Sequence, residues 1–418
     1  MLYQAYEIQR SWMNSASSLA SIGAQMLTNP VNPLGYTPFG PTAASALEVF
    51  AHATAVYGKP AFGIEKIELD GQIHPAIEST VINRPFGDLK RFRLDGVDVI
   101  DGTPTNARPK LLLVAPMSGH YATLLRGTVE RMLESCEVYI TDWADAKLVP
   151  VHEGDFNLDT YIDYLIEFLD YIAKQGEGAR PHMMAVCQPS VPAFAATAIL
   201  NGHKSPAAPA TLTMMGGPID TRECPTSVND HAMKRPIEWF RNSVIASVPK
   251  QYRGAGRRVY PGFMQLSAFM SMNLKSHMMS HFEMFKHLTS GDDASAQATK
   301  DFYDEYRAVC DMTAEFYLQT VEEVFQKHSI PNGTFEHKGE IVDISAIKTT
   351  ALLAVEGERD DISGIGQTKA ALTLATGLPE KKKQYYMAEG AGHYGIFNGS
   401  KWRDKVAPTV EGFIAAHS

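Results

Sequence analysis

The sequence predicts an α/β protein with a mostly parallel sheet flanked by helices, and two observations carry that prediction. From Pro109 onward, short apolar runs each stop at turn residues: KLLLVAPMSGH, CEVYITDW, PHMMAVCQPS, ATLTMMGGPID, TTALLAVEGERDD and KKKQYYMAEGAGHYG. Segments with helical spacing, such as TYIDYLIEFLDYIAKQ, lie between most of them. Short apolar runs bounded by turn residues suit strands buried on both faces, and parallel strands need helical crossovers to connect them.

Size and composition bound the rest. A chain of 418 residues is long enough for two to three units or for one large core with insertions. Hydrophobic content of 44%, charged content of 20% and a mean hydropathy of −0.17 describe a globular protein with ample core material. The charge balance, 38 − 47 = −9, argues against nucleic acid as a partner, because phosphate-backbone binding needs clustered positive charge. Cys136, Cys187, Cys224 and Cys310 form no C-x-x-C pair, which signals neither a zinc knuckle nor a disulfide scaffold and fits a reducing compartment. The first residues lack a basic start and an unbroken apolar stretch, so no secretory leader is expected. No transmembrane segment is expected either, and the expected location is cytoplasmic.

In chain order, Leu2, Tyr6, Trp12, Leu19, Ile22 and Met26 recur at loosely helical spacing and predict an amphipathic helix, ended by the loop TNPVNPLGYTPFGP. A second helix, AASALEVFAHATAVY, leads to strand-like runs at Ile64–Val81 and Leu89–Leu94. Residues 1–105 therefore read as an N-terminal extension of helices and short strands, and 106–220 as the first part of the α/β core. The strand–helix rhythm lapses over 221–345, a helix-rich cap insertion, and resumes over 346–418. Within the insertion, PGFMQLSAFMSMNLKSHMMSHFEMF reads first as helix core; the alternative is an adaptable apolar surface for a lipid-like or polymeric partner.

Reactive groups in open α/β sheets gather at the carboxyl ends of strands. Cys187 ends the run His182–Val186 and precedes Gln188-Pro189-Ser190 and a helix, a strand–turn–helix corner that resembles the nucleophile elbow G-x-S-x-G with both glycines replaced. Pro189 is tolerated in a first helical turn, whereas Pro192 predicts a kink. The alternative for Cys187 is inert packing, common for free cysteine. His393, in MAEGAGHYGIF, and Asp360, in VEGERDDIS, supply a base and an acid, with Asp361 as the rival acid and Asp220 a more distant one. The order nucleophile, acid, histidine is that of the α/β-hydrolase fold. Two oxyanion donors are expected from backbone N–H groups, one at Gln188 and one at Met117 or Ser118 in LLLVAPMSGHY. His120 and Trp143 are candidate substrate contacts, each with a structural alternative.

Other patterns fail on context. Gly390 to Gly395 matches G-x-G-x-x-G, but too little chain follows for a dinucleotide-binding unit. His277 and His281 stand four apart without the glutamate of a zinc-binding helix, and read as structural. No metal or other cofactor is expected.

PMSGHYATLLRGTV, YITDWADA, MAVCQPSVPA, TMMGGPIDTR, DMTAEFYLQTVEEVFQKHSIPNGTF and GAGHYGIFNG together resemble the intracellular poly(3-hydroxybutyrate) depolymerases of bacteria, across nearly the whole chain. The resemblance implies an α/β-hydrolase with a cysteine nucleophile, Cys187, the acid Asp360 and the base His393, acting on amorphous storage polyester. Its partners would be the polymer or its oligomers and the granule surface, and a homo-oligomer is left open. Polyhydroxyalkanoate synthases share the fold and residue order, but carry glycine where this chain has Pro189. A non-catalytic granule-associated protein is the third reading.

Overall fold

The computed structural model describes residues 2–37, 39–100, 102–105, 108–272, 274–290 and 292–418. Nine strands build one sheet: β1 (Lys66–Leu69), β2 (Gln72–Ile82), β3 (Gly87–Leu94), β4 (Lys110–Val114), β5 (Glu137–Trp143), β6 (His182–Val186), β7 (Thr211–Met215), β8 (Ala351–Gly357) and β9 (Lys383–Ala388). Helices of nine residues or more are α1 (Leu2–Thr28), α2 (Gly40–Thr54), α3 (Leu158–Gln175), α4 (Ser190–Gly202), α5 (Gly262–Met272), α6 (Leu274–Ser290), α7 (Asp293–Arg307) and α8 (Ala407–Ala415).

The strands lie in the order β1-β2-β3-β5-β4-β6-β7-β8-β9. From β5 to β9 every pair is parallel, whereas β3 runs antiparallel to β5 and β1–β3 form an antiparallel meander. Every residue of β4 to β8 is buried, as expected for strands covered on both faces. This is an α/β-hydrolase fold, argued from strand order, the one reversed inner strand and the helical crossovers.

The sheet runs across one sequence-derived boundary. The division at 105/106 separated an extension from the core, yet β3 pairs with β5 from Gly87↔Trp143 to Phe92↔Val138. The reason is chemical: β3 alternates buried and part-exposed residues, so it lacks the continuous apolar texture that marks the parallel strands.

The segment from Asp220 to Ile347 is rich in helices, with a small ribbon of Ala246–Ser247, Arg258–Tyr260 and Met312–Thr313. Its Met/Phe-rich stretch forms α5 and the start of α6. Met284 is buried there, but Met278, Met279 and Phe282 are exposed, so helix core describes only part of it. The side chain of His277 lies outside the described residues.

Candidate active site

Cys187 sits one residue beyond β6. Its N–H donates to the Met215 carbonyl at 2.7 Å, continuing the β6–β7 pairing, and its own carbonyl accepts from Ser190 N–H at 3.0 Å as the chain turns into α4. Between these bonds the backbone must reverse sharply, and Cys187 has φ +66°, in the left-handed region where a side chain is strained. Helix α4 starts at Ser190, with Pro189 as its N-cap. Pro192, expected to kink the helix, is its third residue, where a missing N–H leaves no helical bond unmade. The room that elbow glycines would provide comes from the neighbouring strand end: a Cβ on Gly217 would stand 2.1 Å from Ser190 Oγ and 3.2 Å from the Cys187 carbonyl.

His393 follows β9 in a single turn and is buried. Its Nδ1 meets Asp360 Oδ2 at 2.7 Å, and the Cys187 side chain lies close enough to act on the ring electrostatically. Burial disfavours a charged imidazole, but Cys187 and Asp360 together outweigh it and hold His393 well above the ordinary histidine range. The second Asp360 oxygen accepts the N–H groups of Ile362 and Ser363 at 2.9 and 2.8 Å, so the carboxylate cannot swing away without breaking two bonds. Gly216, at φ +59°, lies against this pair, where a Cβ would stand 3.1 Å from His393 Cε1 and 3.2 Å from Asp360 Oδ2.

The structure thus brings Cys187, His393 and Asp360 together. Asp361 is exposed and Asp220 is bound to Arg222 by both oxygens, at 2.8 and 2.7 Å. Met117 and Ser118 leave the same end of the sheet as Cys187, on the adjacent strand, since Val114 pairs with Ala185. Their loop is fixed from beneath: the Ala115 carbonyl accepts from Trp143 Nε1–H at 2.8 Å and Tyr161 hydroxyl at 3.3 Å. It is fixed from the cap as well, where Gly119 carbonyl accepts Cys310 N–H at 2.7 Å.

The two candidate substrate contacts, Trp143 and His120, are both buried. Trp143 is fully buried among Phe156, Tyr161 and Tyr164, so it supports the Met117–Ser118 loop from below. His120 is buried against the cap, its Nε2 3.0 Å from the Tyr306 carbonyl. Both partners are distant in sequence, which is why the runs that end in these residues did not reveal them.

His120 gives a pH prediction. Burial pushes it down to about 4, against the upward pull of the Tyr306 carbonyl. The unfolded chain takes up this proton near pH 6.5, so the neutral histidine costs nothing above that pH and stability falls between about 6.5 and 4. His182, also lowered by burial to about 4, has the same sign. Asp311 has the opposite sign: burial, then Asp145, push it up to about 6, so its contribution grows as pH falls through that value. The difference between proteins isolates His120. We expect His120→Asn to start less stable at pH 7 but to lose ~2 kcal/mol less than wild type on going to pH 4.5, by urea unfolding. Equal losses would mean that folded His120 takes up its proton at the same pH as it does in the unfolded chain.

The sequence reading missed three site features. Glu356 is a buried carboxylate ending β8; it accepts N–H groups of Gly366, Thr368 and Lys369 at 2.9, 2.8 and 2.9 Å and the Tyr385 hydroxyl at 2.8 Å. It closes the loop that carries Asp360, and a lone acid inside the run LLAVEG was its signal. Tyr394, next to His393, packs against Tyr306 of α7 with ring centroids 6.0 Å apart. Tyr161 is close enough to feel Cys187, and burial raises its hydroxyl far above the usual range. Helical spacing marked Tyr161 only as core.

Residues 216–418 match the model of the family described as PHB de-polymerase C-terminus. No curated protein matches. Among solved structures, the chain is similar to a monoacylglycerol lipase of Paleococcus ferrophilus, with 12% identity, 74% of this chain and 96% of that one covered, and a TM-score of 0.45. A thermophilic esterase of Thermogutta terrifontis shares 13% identity over 82% of this chain and 99% of its own, with a TM-score of 0.42. The 2-hydroxy-6-oxo-6-phenylhexa-2,4-dienoate hydrolase of Rhodococcus sp. strain RHA1 shares 10% over 82% and 99%, with a TM-score of 0.44.

Proposed function

We propose, from a chain whose residues 216–418 match the model of the PHB de-polymerase C-terminus family, that this α/β-hydrolase hydrolyses amorphous poly(3-hydroxybutyrate) through a thioester on Cys187. The observation that supports it best is a thiol on a strained strand–helix corner, beside a buried histidine that is itself paired with a buried carboxylate.

In this reading His393 takes the Cys187 proton and the sulfur attacks a polymer ester carbonyl. The oxyanion that forms is met by the N–H of Gln188 and by the Met117–Ser118 backbone; donors of this kind typically contribute about 10²–10³ in rate. As the C–O bond breaks, His393 returns the proton to the departing alkoxide oxygen, leaving one chain end as alcohol and the other as thioester. Water, deprotonated by His393, then attacks the thioester and releases the carboxylic acid and the thiol. No step calls on a cofactor. A thiol acceptor of the coenzyme A type would give a thioester product by the same route. The protein would work in the cytoplasm at the surface of storage granules; among the described residues no helix is long and apolar enough to cross a membrane.

The test is the product. Amorphous polymer incubated with wild-type protein and reductant should release titratable acid without added acceptor. Release that requires coenzyme A would replace hydrolysis by thiolysis. Polymer formation from 3-hydroxybutyryl-CoA with no release would favour a synthase, and neither activity would favour a granule-associated role.

A further inference from the structure

We infer that the protein self-associates through the outward face of α1, forming a dimer of α1–α2 hairpins. Helix α1 carries two apolar seams on opposite sides. The inner one, Tyr3, Ser17, Ala20 and Ala24, is buried: Ser17 donates to the Ala51 carbonyl of α2 at 2.7 Å, and the neighbouring Tyr6 stacks on Phe263 of α5 at 3.7 Å. The outer one is Ile8, Trp12, Leu19, Ile22 and Met26, all exposed, with Trp12 and Leu19 at 75% and 71%.

The spacing of the outer seam identifies the kind of partner. Positions 8, 12, 15, 19, 22 and 26 alternate steps of four and three, with Ser15 as the one polar member. That 3.5-residue period keeps one narrow line of side chains facing a second helix, whereas a helix lying on a flat surface presents a broader apolar arc. A helix apolar on two sides is built to be covered on two sides. The apolar exposure is also concentrated: twelve of the twenty-three exposed large hydrophobics among the described residues lie between Ile8 and Val56.

Charge narrows the occupant further. From Ser11 to Leu47 the sequence contains no Asp, Glu, Lys or Arg, although 20% of the chain is charged. Two molecules of net charge −9 repel over most of their surfaces, and this segment is where they can meet without like-charge contact. An anionic lipid surface, by contrast, finds no lysine or arginine there to attract it. The seam, its neutrality and its length of about 27 Å from Ile8 to Met26 at 1.5 Å per residue fit a second copy of the same helix, giving four helices from two hairpins. This inference is independent of the reaction proposed above.

Light scattering after size exclusion, on the full chain, reads it directly. Wild type is expected at about twice 45.9 kDa at micromolar concentration. The double variant Trp12→Glu/Leu19→Glu should run at 45.9 kDa, its dimer weakened at least ~100-fold by buried like charges, with unchanged hydrolysis of a short soluble ester. Leu19→Ile should keep the dimer. A wild type that stays monomeric up to about 100 μM, or a dimer that survives the double variant, overturns the inference. So does a monomer that adsorbs to solid polyester or to phospholipid vesicles through Trp12 and Leu19, since the face would then belong to a surface and not to a second copy.

Discussion

Replacing Cys187 with alanine is expected to lower ester hydrolysis at least ~10³-fold, measured as acid released from amorphous polymer and from a soluble ester in parallel. Loss on both substrates separates a failed nucleophile from failed access to a solid. Cys187→Ser keeps an attacking atom at the same corner, but a hydroxyl does not give its proton to His393 as a thiol does, so a residual rate between the two is expected. Persistence of full activity in Cys187→Ala would reduce Cys187 to a packing residue. The same position offers a stability comparison. At φ +66° alanine keeps the strain of cysteine and glycine removes it, so Cys187→Gly should be as inactive as Cys187→Ala yet no less stable to heat.

The second large effect distinguishes two adjacent acids. Asp360→Asn should reduce turnover by about 10²–10⁴-fold, because an amide facing His393 Nδ1 no longer favours the tautomer and charge that proton transfer needs. Asp361→Asn, on the exposed side of the same turn, should stay within about threefold of wild type. The loss in Asp360→Asn should appear in kcat with little change in KM, since the carboxylate acts through the histidine. A larger loss at 361 would reassign the acid.

What the sequence revealed and what it hid follow from how each feature is encoded. Cys187, Asp360 and His393 were legible because chemically distinctive residues stand where apolar runs stop, and the parallel sheet puts those stops at one end. Of the two adjacent acids, Asp360 is the one that meets His393. β3 was hidden as a sheet member because adjacency across an antiparallel pair leaves no local mark when both faces are not buried. The burial of His120 and Trp143 was hidden for a related reason. Their burial depends on Tyr306 and on Tyr161, and no pattern near positions 120 or 143 records that the cap and α3 close over them. Pro192 looked disruptive because the sequence does not mark where α4 begins, and a start at Ser190 puts it in the first turn.

The way β3 locks onto β5 also decides where this chain can be cut. A fragment beginning at residue 106 would strip β5 of its neighbour and leave Glu137–Trp143, every residue of which is buried in the intact protein, as an open strand edge. Such an edge is a template for pairing with other chains, and the fragment should aggregate on expression. A truncation placed between α2 and β1 keeps the meander and so keeps that edge covered. The natural seam for making a smaller, soluble version of this protein therefore lies ahead of Lys66, and the hairpin it removes is the one that carries the neutral outer face of α1.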